Sequence, residues 1–193
     1  ERFAEERYMP QNPDIPAAVC TPEKTVIIDE PRIIGERINP TGKKRFKQAL
    51  LENDINYILG EGIAQNKKGV SVLDVNVGLP EIDEPEMMVN VIKALQGVID
   101  LPLQIDTVDP VAMERAMRIY NGKPLVNSVN GKQESMDAIL PLVKTYHMEF
   151  FIRFQFVNQI MLDALHFFRT NFGRTNVHVF INLHRICRNN LAV

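Results

Sequence analysis

Residues 71–96 read SVLDVNVGLPEIDEPEMMVNVIKALQ, a short apolar run followed by a longer stretch whose apolar residues recur at helical spacing. The run at 71–76 has the length and the Val and Leu content of a buried strand, and it ends on a polar residue. Asp83 and Pro85 then supply the acidic cap and the proline that begin a helix. A strand followed by a helix is the unit of parallel α/β sheets.

The same unit occurs four times along the chain. The predicted strands are residues 32–36, 71–76, 101–106 and 124–128. Asp109 and Pro110 begin another helix, and Asn121-Gly122 is typical of a helix end. Four units in about 120 residues are half of an eight-unit (β/α)8 barrel of about 250 residues. A doubly wound open sheet fits the same alternation, so periodicity alone leaves both folds open.

Carboxylates and carboxamides recur at the predicted carboxyl ends of these strands. They are Glu36, Asn39, Asp74, Asn76, Asp106, Asn127 and Asn130. In a parallel α/β barrel the chemistry is built at these ends, and such a set suits a flat heterocycle with adjacent N–H and C=O groups. Asp and Asn also end strands by forming turns with their own backbone, and that interpretation stays open for each residue alone. It is weaker for Asp74 and Asn76, which are two residues apart and share a face of one strand.

Composition excludes several classes of protein. The 193 residues include 22 basic and 24 acidic side chains, and this near-neutral balance argues against nucleic acid or an anionic membrane surface as partner. No apolar run reaches the length of a membrane span and the first residues lack a secretory pattern, so we expect a cytoplasmic protein. Cys20 and Cys187 match no metal or redox spacing. His166, His178 and His184 lack the i, i+4 spacing of a zinc helix, so no bound metal is predicted.

The composition changes abruptly near His147. Residues 1–147 contain 17 basic and 22 acidic residues, whereas residues 148–193 contain five basic residues, all Arg, and two acidic ones. Eight of the ten Phe residues lie after 147, and no Lys or Pro does. Two explanations stay open, a divergent native segment and a change of reading frame. A strand from this segment on the open sheet edge, or a helix at 157–168 on an apolar face, is also possible.

Four motifs in order resemble one family. They are residues 34–44 (IGERINPTGKK), 73–80 (LDVNVGLP), 103–106 (LQID) and 125–131 (LVNSVNG). Together they resemble the pterin-binding domain of cobalamin-dependent methionine synthase. They are also similar to the methyltetrahydrofolate:corrinoid methyltransferases, which share that domain with dihydropteroate synthase. The resemblance covers about residues 24–146, the N-terminal half of the domain.

The resemblance implies a TIM barrel that binds 5-methyltetrahydrofolate at its mouth and passes the methyl group to a corrinoid (cobalamin) on another domain or protein. Glu36, Asp106 and Asn127 match pterin-site residues of the family, with Asn127 near the reacting N5 as the candidate catalytic residue. Asn39, Asp74 and Asn76 belong to the same mouth. Arg37 with Lys43 or Lys44 could meet the glutamate tail of the folate, or could simply be solvated bases.

These observations predict a linker at residues 1–30, a partial pterin-binding barrel at 31–147 and a divergent tail at 148–193. In the family, such a linker can follow a homocysteine-binding domain. Because half a barrel leaves two open sheet edges, we expect the chain alone to be poorly stable, to bind the folate weakly or not at all, and to be inactive as a fragment. A dihydropteroate synthase-like enzyme and a non-catalytic half-barrel interaction module are the alternatives. The GERINPTG segment favours the methyltransferase branch.

Overall fold

The computed structural model describes residues 16–130, 133–146 and 149–153. The strands are β1 (Ala18–Cys20), β2 (Thr25–Ile27), β3 (Ile34–Ile38), β4 (Val72–Val75), β5 (Leu103–Asp106), β6 (Leu125–Asn130) and β7 (Glu149–Arg153). The helices are α1 (Lys44–Leu51), α2 (Ile55–Lys67), α3 (Glu84–Gln96), α4 (Pro110–Ile119) and α5 (Gln133–Tyr146). In these ranges no helix combines the length and the apolar character needed to cross a membrane.

Strands β3 to β7 form one parallel sheet in the order of the sequence, β3-β4-β5-β6-β7. A doubly wound sheet reverses its strand order at a switch point, whereas a (β/α)8 barrel adds its strands consecutively. The order therefore distinguishes the two folds that periodicity left open. The described residues form part of a TIM-type barrel.

All four predicted strands are present, and the sheet has a fifth. The first predicted strand begins two residues later than expected, at Ile34. The fifth strand, β7, lies beyond the composition break and pairs in parallel with β6, with Val126 opposite Phe150. The possible strand on the open edge is thus found at residues 149–153. The possible helix at 157–168 lies outside the described residues.

The outer face of the sheet packs against the helices. Leu73 and Val75 of β4 are fully buried there, and α3 contributes Met88, Ile92 and Leu95 to the same core. Asp83 accepts a hydrogen bond from the backbone N–H of Glu86 and caps α3 as predicted. Asp109 caps α4 in the same way, through the backbone N–H groups of Val111 and Ala112. Apolar residues at alternate positions of β4 and β5 thus fix which face of these two strands contacts the helices.

The linker predicted at residues 1–30 is wrong for residues 18–27, which form an antiparallel hairpin of β1 and β2. Val19 and Val26 pack against Val72 and Leu125 of the main sheet. Backbone hydrogen bonds between Cys20 and Lys123 attach the hairpin at 2.9 and 3.0 Å. Two strands of three residues are too short to show a period in the sequence, which is why the hairpin was missed. Residues 1–15 lie outside the described residues.

Gly122 is required where the hairpin meets the sheet. Its φ of +125° is a backbone conformation that residues with a Cβ rarely adopt. A Cβ at this position would also lie 2.3 Å from the carbonyl oxygen of Cys20. The predicted stop at Asn121-Gly122 follows the end of α4 at Ile119, and Gly122 permits the close approach of the hairpin.

Candidate functional site

Polar residues alternate with the buried apolar ones along β4 and β5, so they share the inner face of the sheet. The register places Asp74 opposite Gln104 and Asp106 opposite Asn127. These side chains form two rows. The lower row is Asp74 and Gln104, and the upper row, at the carboxyl ends of the strands, is Asn76, Asp106 and Asn127.

The upper row is held by hydrogen bonds between neighbouring strands. Asn76 Nδ2 donates to Asp106 Oδ2 at 3.0 Å, and Asn76 Oδ1 accepts from the backbone N–H of Gly78 at 3.0 Å. The backbone carbonyl of Asn127 accepts from the N–H of Thr107 at 2.9 Å. Asn76, Asp106 and Asn127 are half-buried, so this row can meet a ligand at the mouth. Three of the predicted residues are therefore brought together.

The lower row is buried. Asp74 is 3% exposed and Gln104 is 5% exposed. Gln104 Nε2 donates a hydrogen bond to Asp74 Oδ1. Burial raises the pKa of Asp74 to about 8, and the negative charges of Asp106 and Glu36 act in the same direction against the lowering effects of Gln104 and Lys43. This shift favours the protonated form of Asp74, and a protonated carboxyl group is a poorer hydrogen-bond acceptor than a carboxylate.

Glu36 and Asn39 lie next to these rows, on β3 and just after it. The side chain of Glu36 is exposed, and its backbone carbonyl accepts from Lys43 Nζ at 2.7 Å. Asn39 is buried, and its Oδ1 accepts from the backbone N–H of Thr41 at 2.8 Å. The turn interpretation therefore applies to Asn39. For Asn130 the structure describes the backbone in β6 and not the side chain.

The bases proposed for a glutamate tail lie on β3 and at the start of α1. Arg37 forms an ion pair with Glu61 at 3.3 Å, and its guanidinium side chain is 63% exposed. Lys43 donates a hydrogen bond to the backbone carbonyl of Glu36, whereas the side chain of Lys44 is exposed. Arg37 therefore reaches toward helix α2, to which Glu61 belongs, and Lys43 lies beside β3.

Sequence reasoning missed three residues that support the site: Gln104, Thr107 and Glu84. The buried hydroxyl of Thr107 donates to Glu84 at the start of α3 and accepts from the backbone N–H of Asp109 at 3.0 Å. Thr107 thereby fixes the loop that follows Asp106. Gln104 could have been found, because it is two residues before Asp106 and is a polar residue inside an apolar run. Within the described residues no group of three His, Cys, Asp or Glu side chains could hold a metal ion.

Residues 35–156 match the family model described as pterin binding enzyme, which is more than half of the chain. The chain belongs to this family. The match begins just before Glu36, includes every candidate residue of the two rows and continues past the composition break to residue 156. The pterin binding enzyme family therefore accounts for β3 to β7.

The chain is similar to a curated relative and to several solved structures. The chain is 37% identical over 114 residues to a methylcorrinoid:tetrahydrofolate methyltransferase of Eubacterium limosum, over 57% of this chain and 40% of that protein. Among solved structures, a 7,8-dihydropteroate synthase of Vibrio fischeri superposes with a TM-score of 0.58 at 19% identity, covering 86% of this chain and 66% of that one. A Xanthomonas albilineans dihydropteroate synthase gives 0.54 at 18% identity, over 89% and 78%. At these identities the two structures show the fold alone.

Proposed function

We propose that the upper row binds the pterin ring of 5-methyltetrahydrofolate, as part of a methyltransferase that exchanges a methyl group between the folate and a corrinoid. The observation that carries the proposal is the alignment of Asn76, Asp106 and Asn127 across three neighbouring strands at their carboxyl ends. The methyltransferase relative supports this substrate class. The chain spans 40% of that relative, so the activity of a whole enzyme is part of the proposal.

The chemistry of the row suits a pterin. The pyrimidine part of the ring presents N–H donors beside a carbonyl acceptor, and a carboxylate such as Asp106 accepts from such donors. Carboxamides such as Asn76 and Asn127 both donate and accept, so they can complete a planar set of contacts. Asn76 is already fixed by Gly78 and Asp106. The ring would therefore meet an arrangement that needs little reorganisation on binding.

Methyl transfer from the folate requires help at N5. A tertiary amine is a poor leaving group, so N5 must gain a proton or a hydrogen bond as the C–N bond breaks. Asn127 does not ionise in this range, so the proton comes from water at the mouth, and the role of Asn127 is to orient and stabilise the protonated N5. The corrinoid supplies the metal centre that exchanges the methyl group, which is why an activated Ser, Cys or Lys is unnecessary. The name of the Eubacterium limosum relative describes transfer in the opposite direction, from a methylcorrinoid to tetrahydrofolate, and the same site can catalyse both directions.

The wider setting is also proposed. We place the corrinoid, a cobalamin, on a partner domain or protein, and the reaction in the one-carbon metabolism of the cytoplasm. Methionine biosynthesis, with a homocysteine-binding domain before the linker, is the setting that the sequence motifs suggest.

Ligand-observed NMR with 5-methyltetrahydrofolate tests the proposal on the 193-residue chain, because this method detects weak as well as tight binding. The variant Asp106→Asn removes the charge with little change of shape. A hydrogen bond to a charged group contributes about 1.5–3 kcal/mol, so we expect binding to weaken by about tenfold or more. The control Asp137→Asn changes an exposed residue of α5 and should bind like the parent.

Equal binding by Asp106→Asn and the parent would contradict the pterin site. Release of diphosphate from a pterin diphosphate with p-aminobenzoate would instead favour the dihydropteroate synthase activity. Capture of a corrinoid protein that is unaffected by Asp106→Asn, without folate binding, would favour the interaction module.

A further inference from the structure

The lower row contains a buried acceptor that lacks a partner. Among the side chains that the structure describes, Gln104 Oε1 is the buried oxygen or nitrogen left without a hydrogen bond. An unpaired buried polar atom costs about 1–3 kcal/mol. The other end of the same amide is used, because Gln104 Nε2 donates to Asp74 Oδ1. The Gln104 amide thus uses its N–H donor but not its oxygen acceptor, and its neighbour is the carboxyl group of Asp74.

The protonation state of Asp74 determines whether the amide can be completed. A carboxylate has only acceptors, so it cannot serve Gln104 Oε1. A carboxylic acid carries an O–H on its second oxygen, and this O–H can donate to the amide oxygen. The acid and the amide then share two hydrogen bonds. Gln104 N–H donates to the carbonyl oxygen of Asp74, and the O–H of Asp74 donates to the carbonyl oxygen of Gln104.

We propose that Asp74 and Gln104 form such a carboxylic acid–amide pair, in which Asp74 keeps its proton at neutral pH and the neutral pair positions the upper row. The positioning role rests on the proposed pterin site, whereas the pair itself does not. Asp74 is therefore a positioning residue in this arrangement, rather than the ligand acceptor that the motif alone predicts.

The surroundings of Asp74 favour the neutral form. Val72 is two residues before Asp74 on the same face, and Leu125 is opposite Gln104, so the hairpin side chains Val19 and Val26 cover the sheet next to the lower row. Burial of this kind penalises a charge, and it is the main cause that raises the pKa of Asp74.

The charged groups that face Asp74 come from three elements. Asp106 on β5 and Glu36 on β3 are acidic and raise the pKa of Asp74, and Lys43 before α1 lowers it with a smaller effect. Lys43 Nζ is held at the backbone carbonyl of Glu36, 2.7 Å away. Ionisation of Asp74 would add a negative charge beside acidic neighbours, and the neutral pair avoids this repulsion.

The residues of the two rows are near neighbours along the same strands, so a change in the position of the lower row also moves the upper row. Asp74 and Asn76 are two residues apart on one strand, as are Gln104 and Asp106 on the next. If the upper row is competent only while Asp74 is protonated, ligand affinity falls above the pKa of Asp74 by up to about tenfold per pH unit.

The first experiment measures the pair without ligand. The carboxyl carbons of the 193-residue chain are labelled with carbon-13 and titrated by NMR, and Asp74→Asn identifies the Asp74 resonance by its loss. We expect a midpoint near pH 8, together with an infrared band of a protonated carboxyl group at pH 7 that Asp74→Asn removes and Asp137→Asn retains. A midpoint near 4, about the ordinary range of an aspartate, overturns the pair.

The second experiment measures 5-methyltetrahydrofolate affinity against pH. In the parent we expect affinity to fall above the midpoint of the Asp74 titration, and in Asp74→Asn, whose amide keeps the shape of the acid, we expect this fall to disappear. A pH-independent affinity in a parent whose Asp74 titrates near 8 overturns the positioning role. If no variant binds the folate at any pH, the proposed function fails while the NMR titration still decides the pair.

Discussion

Replacing Asp74 with asparagine should change how the stability of the protein depends on pH. Asp74 is 3% exposed and its pKa is raised to about 8, whereas in the unfolded chain an aspartate titrates near about 3.9. Between these two values the folded protein holds one proton that the unfolded chain has released. Stability therefore decreases as pH rises through this window, because unfolding releases the proton. Below about pH 4 and above about pH 8 this group adds no slope.

The size of the effect follows from the proton count. One proton gives a slope of about 1.4 kcal/mol per pH unit in the free energy of unfolding. Between about pH 4 and pH 8 the free energy of unfolding therefore falls by an amount on the order of 5 kcal/mol. That is comparable with the whole stability of a small domain. The asparagine of the Asp74→Asn variant does not titrate, so the variant lacks this slope and we expect it to be the more stable protein at pH 7.

Urea unfolding at a series of pH values between about 5 and 9 measures the difference, because the other titrating groups are common to both proteins. The free energy of unfolding of the parent minus that of Asp74→Asn should fall by about 1.4 kcal/mol per pH unit up to about pH 8. Asp137→Asn serves as the control for loss of an exposed carboxyl group. Parallel stability curves for the parent and Asp74→Asn would refute the reasoning.

Three further substitutions test other parts of the structure. Gly122→Ala should destabilise the protein by about 1–3 kcal/mol or more, because its φ of +125° and the 2.3 Å approach to Cys20 exclude a Cβ; a thermal unfolding midpoint equal to that of the parent would contradict this. Thr107→Val removes the hydroxyl that bonds Glu84 and should cost about 1 kcal/mol and weaken folate binding, measured by urea unfolding and ligand-observed NMR. Met88→Ala should cost about 2–5 kcal/mol in the core, measured by urea unfolding, and should leave the Asp74 titration midpoint in place; a shifted midpoint would show that the core and the lower row are coupled.

The sequence predicted the elements whose patterns are long and regular. Strands β3 to β6 and helices α3 and α4 were found because apolar periodicity and the caps Asp83 and Asp109 agree with each other. For strand β7 the sequence predicts only a strand or a helix in the segment after residue 147, since the residues there differ in composition from the rest of the chain. The hairpin was missed because its stability comes from packing on Val72 and Leu125, which are distant in sequence.

The candidate site was predicted in part for the same reason. Asn76, Asp106 and Asn127 end strands of one parallel sheet, so their proximity follows from topology alone. The pairing of Asp74 with Gln104 depends on the register between β4 and β5, which spacing along one strand does not reveal. The raised pKa of Asp74 depends mainly on burial, which arises only in the folded sheet.

The apolar face determines which way the polar rows of the site point. Leu73 lies opposite Leu103 and Val75 opposite Ile105, and these residues are buried beneath the helices. A slip of one residue would turn this apolar set inward and the polar rows outward, at the cost of several buried side chains. The apolar residues on either side of Asp74 therefore keep its side chain on the inner face, where it meets Gln104. The polar rows are a consequence of core packing, so a substitution in the core that preserves register should lower stability while leaving the geometry of both rows intact.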